Sequence, residues 1–501
     1  MFNYFAEKLN KMSRVSVIGA GFSGLSAACV AAKSGHKVDV FEKNSDLGGR
    51  ARKFSANGFV FDMGPSWYWM PDVIERFFNH FGRSTTDYYQ LVQLDPGFRM
   101  FFGKNDVLDI SADLDELKNK FESIEPGSSK RLDAYLKDAA FKYAEGMLNF
   151  AYKPSLSWLE YAKPSLLMNG IRLKMHISVS AHVKKYFKDP RLIALMEFPS
   201  LFLGAMPWQI PSLYTMMNYA ALEQGTWYPM GGMFKIVDAM ASLANSLGVT
   251  FHTSSGVSGI AANNKKIHHI IAGQNEYATD AVIGACDYHH LEQHLLGSEY
   301  SNYNEEYWHK KTFAPSCLLF YIGVNKKLKN LVHHNLFFDT DLQKHAKEIY
   351  EKPEWPAEPL FYVCCPSVTD SSVAPEGHEN LFVLMPVSTE LKDDESRHDY
   401  YFHMLLERME FITGQHIKEH IVYKKSYAIN QFIADYNAYK GNAYGLANTL
   451  AQTAFLKPAM KNKKLENLFY AGQLTVPGPG VPPCIISGQI AAKLTNNYLK
   501  K

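Results

Sequence analysis

The stretch from Arg14 to Glu42 constrains this chain more than any other part of it. Arg14 to Ile18 reads as a buried strand, Leu25 to Ser34 as a helix of small residues stopped by Gly35, and Lys37 to Glu42 as a second strand. Between the first two lies Gly19-Ala20-Gly21-Phe22-Ser23-Gly24. Gly19 permits a tight turn, Gly21 lets the backbone approach a pyrophosphate, and Gly24 lets the helix pack on the strand. The start of the helix offers free N–H groups and a positive dipole end to phosphate. Glu42 follows Gly24 by 18 residues, at the end of the second strand, with Lys43 beside it. A carboxylate placed there accepts hydrogen bonds from ribose hydroxyls and disfavours a 2′-phosphate. A glycine turn arising by chance in an α/β protein would not bring the strands and the acid into this register.

Further glycine turns follow in order. Gly48-Gly49-Arg50-Ala51 combines close backbone approach with a guanidinium suited to phosphate. Phe61-Asp62-Met63-Gly64-Pro65-Ser66 is a stiff turn that leads into the aromatic run Trp67-Tyr68-Trp69. Tyr228-Pro229-Met230-Gly231-Gly232-Met233 opens a helical pattern, and a strand that includes Val257 comes after it. Near the end stand Asn467-Leu468-Phe469-Tyr470-Ala471-Gly472-Gln473 and Pro477-Gly478-Pro479-Gly480-Val481-Pro482.

Taken together, these motifs resemble the bacterial carotenoid (phytoene) desaturases, within the wider flavin amine-oxidase-like group. The resemblance spans nearly the whole chain. It implies an α/β fold with a discontinuous Rossmann-type FAD-binding domain at 13–105, 225–290 and 456–501. A helical, membrane-facing segment at 106–224 and a substrate domain with a mixed sheet at 291–455 are the expected insertions. FAD is the implied cofactor. Its implied contacts are Gly19, Ala20, Gly21, Phe22, Ser23, Gly24, Glu42, Lys43, Gly49, Arg50, Ala51, Met63, Gly64, Pro65, Ser66, Val257, Gly472, Gln473, Gly480 and Val481. Within that set the Met63–Ser66 turn belongs beside the isoalloxazine, Val257 beside adenine, and the helix after Gly480 at the flavin. Gln473 stands where many relatives have Ala, and Pro479, Pro482 and Pro483 replace smaller residues, which stiffens the last turn.

The implied reaction removes hydrogen across a C–C single bond of a long polyene, with hydride passing to the flavin and a proton leaving the neighbouring carbon. Phytoene is the first expected substrate. A hydroxylated or monocyclic carotenoid is the alternative, and a flavin amine oxidase, a flavin mutase or a non-catalytic prenyl-lipid escort protein are readings from other classes. No acid–base residue stands out. Phe198 to Trp208 and Tyr214 to Tyr219 are expected to wall the substrate tunnel and its mouth, with Lys174, Lys184 and Lys185 near lipid headgroups.

Composition narrows the partners. Over 501 residues, 47% are hydrophobic, 20% are charged and the formal net charge is +2, which gives no reason to expect nucleic acid. Aromatic residues reach 14%, as suits either a large aromatic core or an apolar ligand. The six cysteines, Cys29, Cys286, Cys317, Cys364, Cys365 and Cys484, form no disulfide pattern, and a reducing compartment is expected. No run of about 18 apolar residues occurs; Leu192 to Trp208 is broken by Glu197, Pro199 and Pro207. Peripheral association with the cytoplasmic side of a membrane is therefore expected. Met1 to Met12 has no secretory core and reads as an extension upstream of a start at Met12, the alternative being a short amphipathic arm. The doublets His268-His269, His289-His290 and His333-His334 suggest metal ligation, but adjacent residues on a strand face opposite ways. One imidazole of each pair is expected in solvent, and no metal is expected.

Overall fold

The computed structural model describes residues 12–157, 160 and 173–501. The extension Met1–Lys11 and the apolar stretch around Leu166 lie outside the described residues. Strand β1 (Arg14–Ile18), helix α1 (Phe22–Lys33) and strand β2 (Lys37–Phe41) form the expected βαβ unit. These strands sit in a five-stranded parallel sheet with Leu468–Tyr470 and Ala281–Gly284 on one side and Thr250–His252 on the other. Three remote parts of the chain thus build one sheet. Helices cover both of its faces, so Val15 to Ile18 are all buried and show no alternation.

Small side chains set the packing around α1. Ala27, Ala28 and Ala31 are buried against the core, and the C-terminal helix Val481–Leu499 lies so close that a Cβ on Gly488 would collide with the Ser23 carbonyl oxygen. This last helix starts at Val481, directly after Gly480, four residues ahead of the apolar run that begins at Ile485. Pro482 and Pro483 fall in its first turn, where a missing N–H costs nothing, so they begin the helix and do not delay it. The helix α1 likewise starts at Phe22, directly on the glycine turn.

A seven-stranded mixed sheet forms the second layer. Its order is Ile421–Tyr427, Ser316–Val324, Glu379–Val387, Phe361–Cys364, His334–Phe337, Phe98–Gly103, Asp106–Ile110. His334–Phe337 and Phe98–Gly103 pair in parallel, and the other pairs are antiparallel. The boundary expected at 105/106 runs through the hairpin at the end of this sheet. That hairpin is hard to read from sequence because Arg99 and Asp109 face each other across it as an ion pair at 2.5 Å. The strand Ser316–Val324 is buried at all nine positions, yet its period of two is intact. Leu318, Phe320 and Ile322 join the core under helix Glu395–Thr413, whereas Cys317, Leu319 and Tyr321 face the main core.

The apolar stretch Thr250 to Ile260, which reads as one strand around Val257, is two. Thr250–His252 ends in the parallel sheet, and Val257–Asn263 starts a separate three-stranded antiparallel sheet after a turn with Ser254 at φ +50°. The helical layer contains Leu114–Ile124, Ser128–Glu145, Pro190–Glu197 and Met216–Leu222. Among the described residues no helix is long and apolar enough to cross a membrane. Replacing Gly488 by Ala is expected to part the C-terminal helix from α1 and to destabilise the protein by about 1–3 kcal/mol, read by denaturant melting.

Candidate functional site

The carboxyl ends of the parallel strands carry the turns that sequence analysis singled out, the usual ligand edge of such sheets. They touch through backbone. Gly48 N–H donates to the Ala20 carbonyl at 2.9 Å, and a Cβ on Gly49 would stand 3.2 Å from the Gly21 Cα. A Cβ on Gly24 would collide with the Gly19 carbonyl oxygen, and one on Gly64 with the Arg50 carbonyl oxygen. Gly19 sits at φ +100° with Ala285 and Cys286 backbone at 3.0 Å from its Cβ position, so no other residue fits.

All the expected cofactor residues except Ala20 and Gly24 line one cavity of about 1270 Å³. Ala20 and Gly24 stand behind it: Ala20 N–H donates to Glu42 Oε2 at 2.9 Å, and Gly24 holds α1 against Gly19. Glu42 is buried, and its Oε1 accepts from the N–H of Asn44 at 2.9 Å. These bonds fix the carboxylate and leave it further lone pairs for a ribose. Lys43 contributes its chain to the wall, while its Nζ donates to the Ala434 carbonyl at 2.6 Å. Arg50 donates from Nη2 to the Asn442 carbonyl at 3.1 Å and lies 5.0 Å from the Tyr436 ring. Its Nε is buried without a partner, a donor available to a phosphate oxygen. Glycine cradle, fixed acid and spare guanidinium donor all fit a dinucleotide.

From the Gly64–Ser66 turn the cavity runs on between aromatic and aliphatic walls. Trp67 and Trp69 form one wall with Phe198 and Phe202, ring centroids 5.9–6.1 Å apart. Of the expected wall segments, Phe198, Phe202, Tyr214 and Met217 reach the cavity, whereas Trp208 and Tyr219 do not. The inner face of the seven-stranded sheet adds Leu319, Tyr362, Phe382 and Leu384. At the far side Leu450, Phe455 and Leu456 line the cavity and are also 47%, 47% and 43% exposed, which makes them its rim. Lys174 is engaged by Asp138 at 3.1 Å, and Lys184 and Lys185 are exposed.

A model of the family "Flavin containing amine oxidoreductase" matches residues 22–495. A carotenoid 3,4-desaturase of Haloarcula japonica is 40% identical over 481 residues, covering 96% of this chain and 97% of that one. A zeta-carotene-forming phytoene desaturase of Myxococcus xanthus is 29% identical over 484 residues, covering 96% and 93%. This chain belongs to the carotenoid desaturase family of the flavin amine-oxidase superfamily. It is accordingly an FAD-dependent oxidoreductase. A solved oxidoreductase from Methanosarcina mazei shares the fold, with a TM-score of 0.63 at 19% identity, covering 95% of this chain and 98% of that one.

The structure also brings this desaturase polar groups that no motif announced. Tyr436 and Asn442 orient Arg50, yet they lie in a helix and a turn without sequence signature. Asn448 lines the cavity with a buried, unpartnered Oδ1, and the buried Lys457 ends in an unpartnered Nζ close to the same Gly478. Burial pulls the Lys457 ammonium down to about 7. The Cys484 thiol, in the first turn of the C-terminal helix, is pushed up to about 12 by burial.

Two of the histidine doublets depart from expectation: His289 and His290 lie on the helix Tyr288–His290, not on a strand, and the third doublet is wholly interior. His268 is exposed and His290 is partly exposed, but His333 and His334 are both buried. His333 precedes the strand His334–Phe337, so strand alternation does not apply to this pair. His334 stacks on Trp67 at 4.0 Å, and its Nδ1 is 2.6 Å from the Tyr362 hydroxyl, which in turn donates to Ser66 Oγ at 2.9 Å. Replacing Glu42 by Ala leaves the Ala20 and Asn44 N–H groups without their acceptor. The expected cost is about 1–3 kcal/mol in denaturant melting.

Proposed function

We propose that this enzyme desaturates a long linear C40 polyene in carotenoid biosynthesis, with phytoene as its first substrate. The observation that carries the reading is the continuity of one apolar cavity, from the glycine cradle past Trp67 and Phe198 to the exposed rim of Leu450, Phe455 and Leu456. Segments 13–105, 225–290 and 456–501 would hold FAD, with 291–455 and part of 106–224 enclosing the substrate. In this reading Gly19, Gly21, Phe22, Ser23, Arg50 and Ala51 face the pyrophosphate with Ala20 and Gly24 supporting them from behind, Glu42 and Lys43 face the ribose, and Val257 the adenine. Met63 to Ser66, Gly472, Gln473, Gly480 and Val481 surround the flavin. When bound, FAD supplies the hydride acceptor.

The chain's own part is to bind, align and keep water out. Burying hydrocarbon stabilises the complex by roughly 25 cal/mol per Å², which favours transfer of the polyene from a membrane into the cavity. The aromatic pairs Trp67–Phe198 and Trp69–Phe202 restrict the chain to an extended path beside the Gly64–Ser66 turn. The exposed rim would rest on the cytoplasmic leaflet as a peripheral contact. Desaturation at the 3,4-position is the second reading, favoured by the higher identity to the Haloarcula relative.

Two measurements test this. Purified protein with a flavin spectrum is incubated with phytoene in liposomes, and in parallel with a polyene saturated at its 3,4-position. New conjugated absorption from phytoene supports the first reading, turnover of the second polyene alone replaces it with the other, and turnover of neither sinks both. The double substitution Phe455→Asp and Leu456→Asp is expected to reduce sedimentation with liposomes severalfold while leaving the flavin spectrum unchanged.

A further inference from the structure

His333, His334 and Cys364 lie together behind the Trp67 wall, outside the cofactor cradle. His334 and Cys364 are directly opposite on paired antiparallel strands, so their side chains share a face. One ring nitrogen of each histidine and the cysteine sulfur all lie within 4.8 Å of one another. All three residues are buried, at 3%, 0% and 4% exposure.

Each ring is already oriented through Nδ1. His333 Nδ1 is 2.8 Å from Thr369 Oγ1, and His334 Nδ1 is 2.6 Å from the Tyr362 hydroxyl. Both Nε2 atoms are buried without any partner. Such buried orphans are costly, about 1–3 kcal/mol each, unless something satisfies them. Orientation of one ring nitrogen by an oxygen while the other stays free is the arrangement found around metal-bound histidines.

The surroundings have the size and charge that an ion requires. A void of about 20 Å³ adjoins two members of the cluster, His333 and Cys364, and is lined also by Asp62 and Tyr228; His334 lies just outside it. That is room for about one water or one ion. Asp62, which lines the same void, supplies a carboxylate there.

We propose that His333, His334 and Cys364 form a binding site for a single divalent cation of the zinc class. Two imidazoles and a thiolate are a borderline-soft donor set, which zinc takes at about 2.0–2.3 Å with ligand atoms about 3.3–3.8 Å apart. Binding would require the donors to draw in by about 1 Å from their present separations. On binding, the Cys364 S–H loses its proton to solvent and the sulfur bonds to the cation; no electron changes hands. The ion would tie the strands His334–Phe337 and Phe361–Cys364 together behind Trp67 and the Gly64–Ser66 turn. It would take no part in the redox step.

The test uses the flavin-loaded full chain, incubated with excess zinc, desalted and assayed by elemental analysis and zinc X-ray absorption. About one zinc per chain with nitrogen and one sulfur neighbour is expected. Cys364→Ser is expected to lose the sulfur signal and most of the zinc while keeping its flavin spectrum and circular dichroism. Thr369→Ala, which releases His333 Nδ1 without touching the donors, is expected to weaken zinc about 10–100-fold. Less than a tenth of an equivalent of zinc in the parent protein overturns the proposal. Zinc retained equally by Cys364→Ser and His333→Gln overturns it as well.

Discussion

Close backbone contact around the helix α1 is the constraint on which the rest of this protein depends. Gly24 lies against Gly19, Gly64 against Arg50 and Gly488 against Ser23, each too close for a side chain, and Gly49 packs tightly on Gly21. Three of these contacts join neighbouring turns, and that of Gly488 ties the C-terminal helix to α1 across nearly the whole chain. They also leave a surface made of peptide N–H groups, which suits phosphate better than any arrangement of side chains. The cofactor edge and the stability of the parallel sheet therefore have the same physical origin.

The second constraint is the two-sided strand Ser316–Val324. One of its faces packs beneath helix Glu395–Thr413 and the other looks toward the cavity. The seven-stranded sheet can thus be a solid layer on one side and a ligand wall on the other. Because that wall is apolar, each polar group on it stands out. Away from that wall, burial acts in the same way on Lys457: without a partner, its ammonium falls to about 7, and the charged and neutral forms become comparable near neutral pH.

Much of the dinucleotide site was legible because its requirements are local. A glycine at a forced φ, an acid at a strand end and a proline after a turn each leave a mark within a few residues. The helical starts were read late for the same reason, since apolar periodicity begins only after the first turn. Residues that work through remote partners left no such mark. Tyr436 and Asn442 orient Arg50 from nearly four hundred residues away, and their own neighbours carry no pattern. The hairpin Phe98–Ile110 was hidden because an ion pair occupies positions where alternation would otherwise appear.

The sequence by itself determined the βαβ unit, the order of the glycine turns, the family and the flavin, because backbone geometry at a phosphate admits few residues. Only the tertiary structure decided which apolar residues wall the cavity and which form its rim, since burial depends on the layer opposite. It alone placed His333 and His334 together in the interior. The first of them precedes its strand, and the alternation that would have sent one ring to solvent never begins.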